Sequence, residues 1–326
     1  MTRPSTEWRE QIAPDEAERF ERYARSFAEL QQRRSAKLGK GRVLHRKQVL
    51  GLPATLEVLD GLPSHARQGL FAQPGIHNAW IRLSNGNSEI ASDRKPDVHG
   101  LAIKVLGVHG PGALGVPTDC QDFLLNNTPV FAFPNSDEFV ELVLALSRGG
   151  GALLKYMLSR YGLIGAFKVI KRLGTSLKKP FPGYAAETFY SAVPFACGPY
   201  AMKLRLQPPQ PGQPAKSQDD WSAELLGRLE QSPLRYQLQA QFFVNEEQTP
   251  IEDPSVEWPE NVSPYVTLAT LTLPAYGTWS TQAEELRKKI EVDAFDPWRA
   301  LMAHRPLGDV NRARKVIYFE SQNNRK

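Results

Sequence analysis

Few side chains in this sequence carry chemistry at a readable spacing. The six histidines (45, 65, 77, 99, 109 and 304) show no metal-ligand spacing among themselves, and no HExxH or CxxC is present. Without GxGxxG or a P-loop, dinucleotide and nucleotide sites have no support either. Taken singly, each histidine reads as a surface or core residue. Asn126-Asn127-Thr128-Pro129 reads as a turn, because Asn and Pro favour one. Arg314 and Tyr318 stand four apart in a stretch of helical period, which brings guanidinium and phenol to one helix face. Alone, that tyrosine reads as the core residue of an amphipathic helix. The two thiols, Cys120 and Cys197, cannot form a disulfide scaffold and read as buried, not reactive.

These residues must be positioned by a chain of 326 residues, long enough for one large domain or two ordinary ones. Its 41% apolar content rules out disorder. From Pro14 to Arg34, Phe20, Tyr23, Phe27 and Leu30 recur at helical spacing, with acids opening the run and arginines closing it. RVLHRKQVL, TLEVLD, NAWIRLS and HGLAIKVLGV then read as consecutive strands. Helical period returns from about Ser136 to Leu173. Three strands follow in GPYAMKLRLQP, LRYQLQAQFFV and YVTLATLTLP, with the short helix DDWSAELLGRLEQ between them. Thr281 to Ile290, Pro297 to His304 and Asp309 to Asn323 read as helical pieces. Blocks of strands with helices inserted favour an antiparallel sheet or barrel over a doubly wound parallel sheet. The Pro-rich run 207–220 reads as a loop within a single domain, 1–326, since similar strands flank it.

Net charge is +5 and uneven. From Leu142 to Ala186 there is no acid, while Arg148, Lys155, Arg160, Lys168, Lys171, Arg172, Lys178 and Lys179 add eight positive charges, leaving 5 − 8 = −3 elsewhere. The apolar residues interleaved there, Leu153, Leu154, Met157, Leu158, Tyr161, Leu163, Ile164, Phe167, Ile170 and Leu173, suit either a hairpin packed on the barrel with a solvated basic face, the preferred reading, or a helix lying on an anionic membrane. Nucleic-acid binding has only this segment in its favour and no recognisable module, so none is expected. The N-terminus lacks an apolar signal region and no apolar run approaches bilayer-spanning length, so a soluble cytoplasmic protein is expected.

Four segments resemble, in order, the landmarks of the haem-dependent catalase family: GRVLHRK at 41–47, WIRLSNG at 80–86, DFLLNNTPVF at 122–131 and RKVIYFESQNNR at 314–325. Asp97 to Val105, D-x-H-G-L-A-I-K-V, is similar to a fifth, and the gaps are comparable. Past Tyr318 the chain is short of the full-length pattern, so it looks like a small catalase-related peroxidase. The resemblance implies an α+β fold: a catalase-like antiparallel β-barrel of about eight strands with an N-terminal helical arm (1–40), a basic helical insertion (136–180) and C-terminal helices (295–325), enclosing haem b.

Residue by residue, the resemblance puts His45 on the distal side of the haem as acid and base, because a neutral imidazole can take a proton from peroxide and return it. It makes Ser84 the partner that fixes the imidazole tautomer and Asn126 a hydrogen-bond donor to peroxide. Tyr318 becomes the axial iron ligand, with Arg314 supplying fixed positive charge beside the phenolate. Arg42, Arg82 and Arg325 match positions that pair with haem propionates, a role suited to guanidinium, and Phe139 matches a ring stacked on the porphyrin. The implied activity is cleavage of hydrogen peroxide or an organic or lipid hydroperoxide, as a catalase or as a peroxidase with an unidentified organic reductant, in a response to oxidative stress. Rearrangement of a fatty-acid hydroperoxide, as in allene oxide synthase relatives, is the alternative, and apolar Leu44 before His45 favours peroxide reduction. A non-catalytic haem-binding protein, a homo-oligomer, and peripheral membrane or lipid contact through 142–180 stay open.

Overall fold

Period-two burial in β1 (Gln48–Val58) separates two faces: Leu50, Leu52, Ala54, Leu56 and Val58 are buried on one, and Gly51, Pro53, Thr55 and Glu57 lie on the other. The same division runs through β2 (Gly75–Asn85), β3 (His99–Pro111) and β4 (Pro117–Asn126), which follow as an antiparallel meander. The chain then leaves the sheet for α2 (Ser136–Ser147) and α3 (Gly150–Lys178), and returns in β5 (Phe189–Tyr190), β6 (Phe195–Cys197) and β7 (Tyr200–Gln207). After α4 (Trp221–Gln231), β8 (Leu234–Phe242) and β9 (Val266–Leu273) complete the sheet. Strand β9 pairs with β1, and short β5 bridges β4 to β7, so eight strands close into an antiparallel barrel with β6 appended beside β7. Closure removes the exposed edges that an open sheet of this length would present. This computed structural model describes residues 3–178, 180–208, 215 and 219–325, without the side chains of 168, 172, 173 and 175–178.

Two cores result. Leu52, Leu56, Ile81, Ile103, Phe123 and Leu271, with their neighbours, fill the barrel. The second lies outside it, where Phe20, Tyr23, Phe27 and Leu30 of α1 (Glu16–Leu38) meet Val43, Val140 of α2 and Ala313 of α6 (Asp309–Asn323). The expected α1 stripe and the expected helix from Asp309 to Asn323 are therefore both present. Helix α6 is anchored at its start by Arg312, whose guanidinium bonds Glu10, Glu16 and Glu252.

Three expectations need correction. RVLHRKQVL is not a strand of its own: β1 begins only at Gln48 and runs on into TLEVLD, ending at Val58. Pro53 does not break it, because β9 pairs only Thr55 to Val58 and no ladder bond is needed from the proline on that side. Gly51 fits because Ile290 of α5 (Ala283–Val292) presses on that face, where a Cβ would stand 3.1 Å from the Ile290 side chain. Pro297 to His304 is not a helix beyond a single 3-10 turn at Met302–His304. The carbonyls of Arg299 and Ala300 accept from Asp122 and Ala113, and the Leu301 N–H donates to Gln121, so these backbone groups are spent on the barrel wall. The basic hairpin does not rest chiefly on the barrel either: among the described residues α3 packs on α2, and of its side chains only Met157 and Ala166 are buried. The Pro-rich run 207–220 lies mostly outside the described residues, as do the side chains of Lys168, Arg172, Leu173, Lys178 and Lys179.

Candidate cofactor cavity and active site

Ala79, Ile81 and Leu83 of β2 point into the barrel core, so the alternate residues Arg82 and Ser84 face outward, toward the helical layer. Register extends this face. Ser84 stands beside Gly100, and Gly100 beside Asn126; one row away, Arg82 stands beside Ala102, and Ala102 beside Leu124. All six line a cavity between the barrel wall and helices α1, α2 and α6, with about 1410 Å³ of atom-free space including its open mouth. Helix α6 supplies the opposite wall with Arg314, Tyr318, Ser321 and Gln322, spaced to share one helix face, and Arg325 follows in the turn just past its end. Arg42, His45 and Phe139 also line it, so this single cavity brings together all nine expected site residues: His45, Ser84, Asn126, Arg42, Arg82, Phe139, Arg314, Tyr318 and Arg325.

His45 sits in a left-handed backbone conformation, φ 50°. Strain of that kind costs on the order of 1–3 kcal/mol and persists only where its surroundings impose it. Here the His45 N–H donates to the Gly86 carbonyl at 3.0 Å, and its carbonyl accepts from Arg82 at 3.0 Å. Its Nδ1 is 3.0 Å from Ser84 Oγ. In the tautomer with the proton on Nδ1 donating to that hydroxyl, Nε2 is left as a bare acceptor. The ring is half-buried because one edge meets the cavity, yet burial, followed by the charges of Arg82, Arg314, His99 and Arg42, pushes its pKa down to about 3. The imidazole is neutral across the physiological range.

Gly100 makes room for this ring. A Cβ there would stand 2.7 Å from His45 Nδ1 and 2.8 Å from Ser84 Oγ, a contact that real side chains do not make. Gly100→Ala should leave the barrel folded and displace the imidazole from Ser84. An unchanged circular dichroism spectrum beside a shifted His45 ring signal in NMR spectra checks this; an unmoved ring signal would show that Gly100 does not set the ring.

On β4, Asn126 Oδ1 accepts from the Thr128 N–H at 2.8 Å and from Thr128 Oγ1 at 2.6 Å. This is the turn expected of NNTP. It also occupies the amide oxygen and leaves Nδ2 without a partner among the described residues, so turn and donor are compatible readings of one residue.

One edge of the cavity is strongly cationic. Glu291 accepts from Arg42 at 3.0 Å and from Arg82 at 3.0 Å, while Arg42 also donates to the carbonyls of Glu291 and Asp293. Burial, then repulsion from Arg82 and Arg325, pushes Arg42 down to about 9, and burial lowers Arg82 and Arg325 as well. Three guanidiniums against one carboxylate leave 3 − 1 = 2 positive charges, since the carboxylate of nearby Asp293 is shared by Lys104 and Arg299. The buried Nε of Arg325 has no hydrogen-bond partner among the described residues. Uncompensated buried charge of this kind is costly, and a ligand bearing two carboxylates would relieve it. Across the cavity, Arg314 donates to Tyr318 Oη at 3.2 Å and to Asn311 Oδ1 at 3.1 Å. An apolar lining with a dicationic rim and a phenol held against a guanidinium fits a flat apolar cofactor with two carboxylates and a metal centre.

The sequence offered no sign of Glu291, which reads there as one charge among many in a surface helix. Gly100 lies within the Asp97–Val105 run, where nothing in the sequence marks its lack of a Cβ as a requirement. Tyr184 was also missed; its hydroxyl donates to the Ser84 carbonyl at 3.1 Å and steadies β2 from inside the barrel.

No protein-family model and no curated protein matches the chain. Solved structures do. A fungal catalase aligns with TM-score 0.67 and 17% identity over 87% of this chain and 59% of its own. Catalase A from Saccharomyces cerevisiae gives 0.67 and 16% over 87% and 61%, and a bacterial catalase 0.64 and 14% over 100% and 63%. The fold is the catalase fold. The chain spans about 59–63% of the length of these catalases, and at such identities the likeness is one of architecture. The catalase-like barrel expected from the motifs is therefore present, with eight strands in the closed ring.

Buried histidines set an acid limit on this fold. His45 is pushed down to about 3 and His99 and His304 to about 4, in each case chiefly by burial. Their folded values lie below the unfolded one of roughly 6.5, so as pH falls below 6.5 the unfolded chain takes up protons first and stability drops, by up to about 1.4 kcal/mol per pH unit for each. Asp122, raised by burial against the pull of Lys104, acts in the opposite direction over part of that window. Asp97, Asp296 and Glu246 are also raised by burial, though less far, and His65 is lowered with the other histidines, so from pH 7 to pH 5 the four histidines outweigh Asp122 and the net is a loss. Urea melts of the protein without added cofactor should show the midpoint falling steadily from pH 7 to pH 5; a midpoint that holds or rises would contradict neutral buried histidines.

Proposed function

We propose that this chain is a haem b-dependent oxidoreductase that cleaves hydrogen peroxide or an organic hydroperoxide. One observation carries the reading: His45, fixed by Ser84 with Nε2 open, shares a cavity with an arginine-paired tyrosine and a dicationic rim. Arg42, Arg82 and Arg325 would hold the two propionates, Phe139 would pack against the porphyrin, and Tyr318 Oη would bind the iron. Haem, when bound, supplies the iron that receives the peroxide and the two electrons that break its O–O bond.

The protein's share is proton traffic and orientation. His45 Nε2 takes the proton from the inner peroxide oxygen, and the resulting imidazolium gives it to the outer oxygen, which departs as water or an alcohol. Ser84 keeps Nδ1 engaged, so the ring returns the proton without turning. Asn126 Nδ2 donates to the outer oxygen and stabilises charge as the bond stretches. Arg314 holds positive charge against the phenolate throughout. Apolar Leu44 brings no hydroxyl that would compete for the imidazole.

Because His45 is a base only when neutral, and is neutral well above about 3, its contribution should not decline between pH 8 and pH 5. A rate that falls tenfold per unit below pH 6.5 would indicate an ordinary exposed imidazole. The reading itself is tested with haem-loaded protein. Oxygen release from hydrogen peroxide marks a catalase; donor oxidation without oxygen marks a peroxidase. Epoxide products from a fatty-acid hydroperoxide, with no reduction of either peroxide, would replace this reading with rearrangement.

A further inference from the structure

Helix α3 turns the usual amphipathic arrangement outward. Past its break at Gly162, where φ is 63° and ψ −177°, Leu163, Ile164, Phe167 and Ile170 follow the i, i+1, i+4, i+7 pattern of one helix face. They are 79%, 75%, 68% and 53% exposed. Before the break, Leu154 and Leu158 are exposed as well, and Leu146 of α2 adds to the set. Isolated exposed leucines are common on protein surfaces, but a helix face of consecutive large apolar residues in water is not. The stripe lies in the stretch from Leu142 to Ala186, which has eight cations and no acid. Lys155 and Lys171 are exposed beside it, and Arg160 reaches Glu138 at 3.7 Å.

We propose that α3 seats this protein on the surface of an anionic lipid bilayer, with the Leu163–Ile170 face in the acyl boundary and the lysines and arginines among the headgroups. No described helix is long and apolar enough to cross a membrane, so the contact is with one leaflet. Charge decides between lipid and a second copy of the chain. A symmetric dimer through this face would set one acid-free basic segment against another, where like charges repel, whereas anionic headgroups complement it. The proposal is independent of the haem reading, because none of these apolar side chains lines the cavity.

Co-sedimentation with vesicles tests it. The parent protein should bind phosphatidylcholine vesicles containing phosphatidylglycerol about tenfold more tightly than phosphatidylcholine alone, and added salt should weaken binding. Leu163→Glu combined with Phe167→Glu should abolish binding without shifting the melting temperature, since both side chains already face solvent. Lys155→Gln with Lys171→Gln should weaken it and reduce its salt dependence. Failure of the parent to bind anionic vesicles, or equal binding by the glutamate variant, would overturn the proposal. So would light scattering that finds a dimer in the parent and a monomer in that variant, because the face would then be a self-interface.

Discussion

Tyr318→Phe is expected to produce a folded protein that no longer holds haem as a tyrosinate complex, with affinity reduced at least about 100-fold. Loss of partners that merely orient a ligand costs metal sites about 10–100-fold, and this change removes the ligand atom itself. The fold should survive. Phenylalanine keeps the ring on α6 and its contact with the Arg314 guanidinium, which lies 5.1 Å from the ring centroid. Arg314 loses one hydrogen bond but keeps Asn311. Both variant and parent should therefore melt at similar temperatures without cofactor, and differ sharply when haem is added. An unchanged high-spin ferric spectrum in the variant would remove Tyr318 from the iron. Arg314→Leu should act more mildly, shifting the spectrum and reduction potential without expelling the cofactor.

The second large effect is expected at His45. Replacing it should leave haem uptake intact and slow peroxide cleavage by roughly 10²- to 10⁴-fold, the scale of lost acid–base catalysis. The choice of replacement matters because residue 45 has φ 50°. Alanine tolerates that conformation poorly, while asparagine adopts it more readily, so His45→Asn separates loss of the imidazole from loss of the turn. Ser84→Ala should cost less, since the ring remains and only its tautomer and tilt are released. Parent-level cleavage in His45→Asn, with normal haem binding, would assign the proton work to another group.

The residues of the candidate cavity were legible as types and order along the chain, whereas their assembly was not. His45, Ser84 and Asn126 could be picked out, but their meeting depends on register: Ser84 stands beside Gly100 and Gly100 beside Asn126 across three strands. A one-residue slip would turn the row into the barrel core, and no local pattern announces it. The segment around His45 read as a strand because its apolar residues alternate plausibly. Its true conformation is set by Arg82 and by the backbone of residues 86 and 87, nearly forty positions away. Strands β5 and β6 have two and three residues, too few to show a period, although β5 closes the barrel. By contrast, α1 and α6 were readable because each carries a long stripe that one core satisfies. Helix α3 was misread since its stripe looked like any other; only its partners distinguish a buried face from an exposed one.

The claim that organises the rest is that this cavity is built for one haem. Titration of the purified protein with ferric haem, followed optically, tests it most directly. The account predicts saturation at one haem per chain and a high-spin ferric spectrum of tyrosinate character. It also predicts weaker binding when Arg42 and Arg325 are both replaced by glutamine. Absence of saturable binding, or binding indifferent to Tyr318, Arg42 and Arg325 alike, would contradict it.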